Sequence, residues 1–262
     1  MMRLDDRVAL VTGSTQGIGL AIAGALAGKG ARIALHGLCP ADEGRRLADA
    51  QAGRWGVPVA FFGGDLAMPE ANAALVDAVA QRFGRIDIVV NNAGTQHTAP
   101  LPEFPLGEWD RIQAINLRAP FLVMQRAIPH MRAQGWGRIV NIASVHGLVA
   151  SIHKAAYCAA KHGLVGLTRV AALETATDGL TVNAICPGWV ETPLLDAQIA
   201  ARGAQKGLDR AGAIRDLVAE KQPNQTMMPP AWIGEVVAFL CSDAAAGITG
   251  AALPVDGGWT AQ

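Results

Sequence analysis

The chain has 262 residues, 51% hydrophobic and 17% charged, with Lys+Arg and Asp+Glu balanced at 22 each. This composition suits a globular protein with a substantial core and excludes a disordered chain. The charge balance creates no field favouring nucleic acid or an anionic membrane, and no apolar run approaches the ~20 residues of a membrane span.

Strands are predicted at residues 7–11, 32–35, 57–61, 86–90, 138–142, 181–185 and Ala252–Val255. Helices are predicted between them, near 18–29, 42–54, 70–83, 108–132 and 155–176. Near-continuous apolar strands alternating with helices predict an α/β fold. It is a single doubly wound parallel sheet, covered on both faces, with ligands at the carboxyl ends of its strands. Nothing divides the chain, so one domain over 1–262 is expected. The stretch 194–230 follows a Pro-Gly turn and ends in Pro229-Pro230. It reads as a small helical excursion where a substrate lid would sit. The start of the chain, Met1-Met2-Arg3-Leu4-Asp5-Asp6, has acids where a leader needs an apolar core. Cys39, Cys158, Cys186 and Cys241 are scattered, without a Cys-x-x-Cys pair. A reduced cytoplasmic protein with free thiols is the expectation.

Three turns point to a nucleotide. Thr12-Gly13-Ser14-Thr15-Gln16-Gly17-Ile18-Gly19 joins the first strand to a helix. Its glycines allow close backbone approach to a pyrophosphate, and the helix start offers free N–H groups. Gly63-Gly64-Asp65-Leu66 follows the third strand, and Asp65 is placed to accept from an adenine amino group. Asn91-Asn92-Ala93-Gly94 follows the fourth, with small residues that let a cofactor lie against the backbone. Each is also an ordinary turn sequence; their recurrence at three strand ends favours the nucleotide. At the end of the second strand, His36-Gly37-Leu38 has neither an acid for a ribose 2′-hydroxyl nor an arginine for a 2′-phosphate. The missing basic partner tilts the reading to NAD.

Ser144 and Tyr157-x-x-x-Lys161 supply the chemistry. Tyr157 and Lys161 share one helix face, one turn apart. A neighbouring ammonium is expected to lower the phenol from its usual value near 10 and make it an acid/base. Ser144 can hold the same substrate oxygen. On its own, Tyr-x-x-x-Lys is also the pattern of an exposed i,i+4 pair. No ligand spacing such as His-x-x-x-His occurs, so no metal is expected.

As a set, Thr12–Gly19, Asp65, Asn91–Gly94, Asn116, Ser144, Tyr157, Lys161, Pro187-Gly188 and Thr192 resemble the short-chain dehydrogenase/reductase family over essentially the whole chain. The resemblance implies a Rossmann-type fold, a nicotinamide cofactor and a homotetramer. In the matching roles Ser144 orients the substrate oxygen and Tyr157 is the acid/base. Lys161 lowers the tyrosine and holds the nicotinamide ribose, and Asn116 supports a water-linked proton relay. The implied cofactor contacts are Gly13, Thr15, Gly17, Ile18 and Gly19 in the first turn, Asp65 with Leu66, and Asn92, Ala93 and Gly94. Pro187, Gly188, Val190 and Thr192 contact the nicotinamide end, with Tyr157 and Lys161. Segments 92–99, 144–151, 184–190, 220–223 and 256–260 resemble bacterial members acting on D-3-hydroxybutyrate, and so imply that substrate, acetoacetate and NAD.

Residues around the chemistry suit a small carboxylate. Gln96, His146 and Lys154 adjoin the catalytic positions, and Gln198 lies on the predicted lid. Charge-assisted hydrogen bonds from such donors contribute ~1.5–3 kcal/mol each. Trp189 and Trp259 offer apolar walls for a short carbon chain. Lone Lys and Gln are more often solvated surface residues, and Trp more often core. Rival readings are a 3-oxoacyl thioester reductase or a polyol dehydrogenase of the same family, and a nucleotide-binding sensor without catalysis.

Overall fold

The structure, a computed structural model, describes residues 3–261, apart from the side chain of Leu194. Strands β1 (Val8–Val11), β2 (Arg32–Gly37), β3 (Val59–Gly63), β4 (Ile88–Asn91), β5 (Gly137–Ile142), β6 (Leu180–Pro187) and β7 (Ala252–Val255) form one sheet. Their order is β3-β2-β1-β4-β5-β6-β7, and every pairing is parallel. The order reverses between β1 and β4, so a crevice opens there at the carboxyl edge.

Helices α1 (Gly17–Ala27), α2 (Ala41–Trp55), α3 (Pro69–Phe83), α4 (Leu106–Gln113), α5 (Ala119–Gln134) and α6 (Ala155–Glu174) are the crossovers. The two faces of the sheet can be read off β1, because side chains alternate along a strand. Ala9 and Val11 pack with Ile22 and Leu26 of α1, whereas Val8 and Leu10 pack with Val76 and Val79 of α3 and Val123 of α5. Burial on both sides explains why the strands read as unbroken apolar runs.

Element types match the sequence expectations, with four physical differences. β3 starts at Val59 rather than 57 because Pro58 has no N–H for the ladder, although its carbonyl accepts from Ile33 N at 2.9 Å. β2 runs on to Gly37, since His36 and Gly37 pair with Phe62 and Gly63. The single helix expected at 108–132 is α4 and α5 joined through a π-helical turn, Ala114–Arg118. A helix not foreseen, α9 (Pro230–Leu240), begins with Pro230 in its first turn and packs on α1. Gly234 allows that contact, since a Cβ there would lie 2.8 Å from the Ala21 carbonyl oxygen.

The excursion after β6 builds α7 (Asp196–Lys206) and α8 (Arg210–Ala219). They share an apolar cluster in which Ile199, Ala213 and Leu217 meet Val145, Trp189 and Trp259 from the carboxyl edge. No helix among the described residues is long and apolar enough to cross a membrane.

At the opposite edge, the fully buried Asp87 ties β4 to β1. It accepts from Val8 N at 2.9 Å, from Arg7 Nη1 at 3.0 Å and from Arg85 Nη2 at 2.6 Å. Losing this acceptor strands a buried backbone N–H and two guanidinium partners. Asp87→Ala is expected to cost about 2–3 kcal/mol, read as a lower urea midpoint at unchanged slope. An unchanged midpoint would show that the knot does not hold the two strands.

Candidate active site

A cavity of about 760 Å³ opens at the carboxyl edge over the reversal of strand order. Its size suits a cofactor and a small ligand. At one end lies the β1–α1 turn. Thr12 Oγ1 accepts from the N–H groups of Asn92 and Ala93, each at 3.0 Å. Asn92 Nδ2 in turn donates to the carbonyls of Thr12 and Gly13, each at 2.9 Å. Asn92 therefore clasps the glycine turn against the end of β4 while also lining the cavity.

The glycines are there because nothing larger fits. Gly13 has φ +61°, and a Cβ on it would lie 2.9 Å from Ala93 Cα. A Cβ on Gly19 would lie 2.3 Å from the Gly13 carbonyl oxygen. The N-cap of α1, Gln16, makes no side-chain capping bond, and the first turn holds no acid. The first N–H groups of α1 are thus left for an external acceptor, and this turn fits the pyrophosphate of a dinucleotide. Thr15, Gly17, Ile18, Asp65, Leu66 and Gly94 line the same space, as do Pro187, Gly188, Val190 and Thr192 across from it. Thr192 sits over the start of α1, with its Cγ2 3.5 Å from where a Cβ on Gly17 would be.

His36 has a role that the sequence pattern does not reveal beyond its lack of charge. Its Nδ1 accepts from Gly13 N at 3.2 Å, and its Nε2 donates to Gly64 O at 3.0 Å. Burial pushes it down to about 4, against the opposing influence of Gly64 and Asp65, so the ring is neutral. A neutral imidazole matches one acceptor and one donor, and it bridges two of the three nucleotide turns.

At the other end Ser144, Tyr157 and Lys161 converge. Their meeting depends on Gly147, where a Cβ would lie 2.8 Å from the Lys161 carbonyl oxygen. The loop after β5 can therefore press directly on α6. Lys161 is 4% exposed, and its Nζ donates to Ile142 O at 2.8 Å. Burial pushes it down to about 8. Its Nζ lies 5.6 Å from the centre of the Tyr157 ring, and Lys154 Nζ lies 5.7 Å from it.

The expected lowering of Tyr157 is not found in the protein alone. The phenol is pushed up to about 12, chiefly by burial, with a hydrogen bond from Ser144 working the other way. The residue as a whole is half-buried and borders the cavity, but desolvation of the phenolate outweighs the influence of Ser144.

Asn116 is presented by the π-helical turn. Its Oδ1 accepts from Thr95 N at 2.9 Å and its Nδ2 donates to Thr95 O at 2.8 Å. The extra residue of such a turn re-aims a side chain, a common device at functional sites. Asn116 holds Thr95, and next to it Gln96 Oε1 accepts from Lys154 Nζ at 2.9 Å. Burial lowers Lys154 from its ordinary value. The His146 ring lies edge-on to Tyr157 and to Trp259, with centroids at 5.9 and 5.5 Å. Trp189 and Trp259 pack at 5.7 Å. Trp189 N donates at 3.0 Å to Oε1 of Gln222, a fully buried brace that sequence reasoning does not single out. Gln96, His146, Lys154, Trp189 and Trp259 all line the cavity. Gln198 does not: it is half-buried in α7, and the lining on that side comes from Pro193 and Leu195.

Similarity to known proteins agrees with this geometry. The family model described as Enoyl-(Acyl carrier protein) reductase matches residues 13–260. The chain belongs to the short-chain dehydrogenase/reductase family. It is similar to the D-beta-hydroxybutyrate dehydrogenase of Cupriavidus necator, 49% identical over 99% of this chain and 100% of that protein. The protein of that name from Rhizobium meliloti is 46% identical over 98% of this chain and 99% of its own length. The solved L-sorbose reductase of Gluconobacter frateurii, complexed with NADPH and L-sorbose, has a TM-score of 0.94 at 31% identity, covering 100% of this chain and 99% of that one. As a member of this family the protein is an oxidoreductase that uses a nicotinamide cofactor.

Tyr157 is the only tyrosine in the chain, so phenolate absorbance reports it alone. In the cofactor-free protein, that absorbance is expected to rise near pH 12 rather than 10 while far-ultraviolet circular dichroism stays native. A rise at 10 with the fold intact would mean that burial does not control this phenol.

Proposed function

We propose that this oxidoreductase interconverts D-3-hydroxybutyrate and acetoacetate with NAD as its cofactor. The observation that carries the reading is the half-buried Lys154–Gln96 pair at 2.9 Å, beside Tyr157. It offers a small anion one ammonium and one amide where the reacting carbon would sit. The two relatives named for D-beta-hydroxybutyrate support the same substrate. The nicotinamide, when bound, takes the hydride in oxidation and returns it in reduction.

The chain's residues do the rest. Lys154 and Gln96 hold the carboxylate, and Trp189 with Trp259 encloses the short carbon chain and keeps out water. Ser144 holds the substrate hydroxyl, and Tyr157, as the phenolate, accepts its proton. To do so Tyr157 first loses its own proton to water; Lys161 stabilises that phenolate, and with a phenol near 12 the ionisation needs further positive charge from the bound cofactor. Asn116 keeps a lone pair and an N–H beyond its two bonds to Thr95, enough to bind a relay water. His146 supplies no charge to the clamp, because burial holds it near 4. Gln198 reaches substrate only if the α7–α8 pair closes further.

The adenosine end favours NAD. Glu43 and Asp65 line it, and Leu38, 63% exposed, stands where an arginine would receive a 2′-phosphate. The NADPH-bound relative has the same fold, so this choice rests on these side chains. The homotetramer implied by the resemblance would have apolar faces to use, such as Phe121, Val170 and Leu173 on α5 and α6.

Purified protein is expected to reduce NAD+ with D-3-hydroxybutyrate, and far less with the L-isomer or with NADP+. Absence of turnover with any 3-hydroxy acid, alongside turnover of a polyol or a thioester, would overturn the substrate assignment. Lys154→Ala is expected to raise the KM for the acid about 10- to 100-fold, the worth of one charge-assisted bond, while sparing a neutral ketone. Equal losses for both would mean that Lys154 supports the catalytic helix instead.

A further inference from the structure

The loop between Ser144 and Lys154 holds a hydrogen-bonded chain that runs on from the reacting serine to residues the proposed reaction does not use. Ser144 Oγ lies 3.3 Å from His146 Nδ1, and His146 Nε2 lies 2.9 Å from Ser151 Oγ. Both ring nitrogens are therefore engaged by serines. A neutral imidazole has one N–H, so one serine must donate to it and the other must accept. The ring is buried and held near 4, and is not doubly protonated at working pH.

Which serine donates follows from Ser144. Its hydroxyl has one hydrogen, and its oxygen already accepts from His146 N at 3.1 Å. In the proposed reaction that hydrogen must reach the substrate oxygen held between Ser144 and Tyr157. Ser144 cannot also give it to Nδ1. The imidazole proton then belongs on Nδ1, pointing at Ser144 Oγ. Nε2 is left bare, and Ser151 must supply the hydrogen to it.

We propose that Ser151 is a positioning residue for the catalytic serine. Its hydroxyl donates to Nε2 of His146, fixes the Nδ1–H form of the ring, and so keeps the Ser144 hydrogen directed at the reacting oxygen. Ser151 is absent from the cavity lining that includes His146. Its own place is set by the backbone. His153, in a left-handed conformation at φ 64°, has a carbonyl that accepts from Ala99 N at 3.1 Å, which pins the loop against the segment carrying Gln96. The inference rests on the reading of Ser144 as the holder of the substrate oxygen.

Without the Ser151 hydroxyl, Nε2 becomes a buried acceptor with no donor. The proton moves to Nε2, and Nδ1 turns into an acceptor that captures the Ser144 hydrogen. The loss falls on the step in which Ser144 meets the reacting oxygen, not on binding.

The test combines nitrogen NMR with kinetics. In protein labelled with 15N in histidine, the His146 signals are identified by their loss in His146→Gln. The wild type is expected to show the Nδ1–H form, and Ser151→Ala the Nε2–H form. Ser151→Ala is expected to lower kcat about tenfold, with little change in KM for the hydroxy acid or NAD+. Ser151→Thr, which keeps the hydroxyl, is expected to restore both the ring form and kcat. A proton on Nε2 in the wild type overturns the proposal, and so does an unchanged kcat in Ser151→Ala. If the wild type turns over no hydroxy acid, the substrate reading fails, while the NMR still decides the ring form on its own.

Discussion

The site depends on burying an ammonium that no carboxylate among the described residues pairs with. Lys161 is almost wholly enclosed, and the acceptor it is given is a neutral carbonyl, that of Ile142. Desolvation pushes its proton affinity down and that of the neighbouring phenol up. Both groups are thus driven towards their uncharged forms in the protein alone. A carboxylate partner would have quenched the ammonium and left it useless to a phenolate. A solvent-exposed pair would have been screened into insignificance. The arrangement stores an unmet demand for charge, which a bound cationic ring and a substrate anion can each alter. This explains why the architecture around the pair is so closely packed, with Gly147 admitting the serine loop onto α6 and Gly163 admitting Leu117, since a Cβ there would lie 2.9 Å from Leu117 Cδ2.

Much of this is legible in the amino-acid order. Seven apolar runs separated by amphipathic stretches imply the doubly wound sheet, because strands buried on both faces cannot alternate in polarity. The four-residue spacing of Tyr157 and Lys161 puts them on one side of a helix, and the glycine turn follows its strand as a nucleotide needs. The proximity of Ser144 is not legible from spacing; it comes from a glycine packed against a helix backbone. The tyrosine shift runs opposite to the sequence expectation, because a sequence displays neighbouring charges but not the desolvation that competes with them.

Other residues escape for a related reason. His36 stands out in sequence for the charge it lacks, although its two ring nitrogens tie Gly13 to Gly64. Gln222 lies in a polar-looking stretch of the excursion, yet it is fully buried beneath Trp189. Asn116 owes its direction to a π-helical turn, and an extra residue per turn leaves no mark in hydrophobic periodicity. Buried polar groups gain meaning from partners far away in sequence. Gln198 is the opposite case. Its residue type suits an anion, but it sits on a helix whose distance from the cavity is a matter of tertiary packing. The start of α9 does carry a signal, a proline followed by an apolar run, which is the usual opening of a helix.

Charge along the cavity gives the site its direction. Glu43 and Asp65 stand at the adenosine end, and the ammonium groups of Lys154 and Lys161 stand at the other. A dinucleotide with its cationic ring towards the lysines would meet repulsion there, unless an anion or a nascent phenolate accompanies it. The proposed carboxylate on Lys154 and Gln96 would relieve part of that repulsion, and ionisation of Tyr157 would relieve more. Binding of the anion and loss of the tyrosine proton would therefore be coupled through the same two ammonium groups, at 5.6 and 5.7 Å from the Tyr157 ring. His146 is kept out of this balance by its neutrality, which frees it to serve direction rather than charge. A charged imidazole there would carry a second N–H, on Nε2, and Ser151 could no longer donate to it. The same burial that raises the tyrosine thus also keeps the neighbouring ring suited to aiming a hydroxyl.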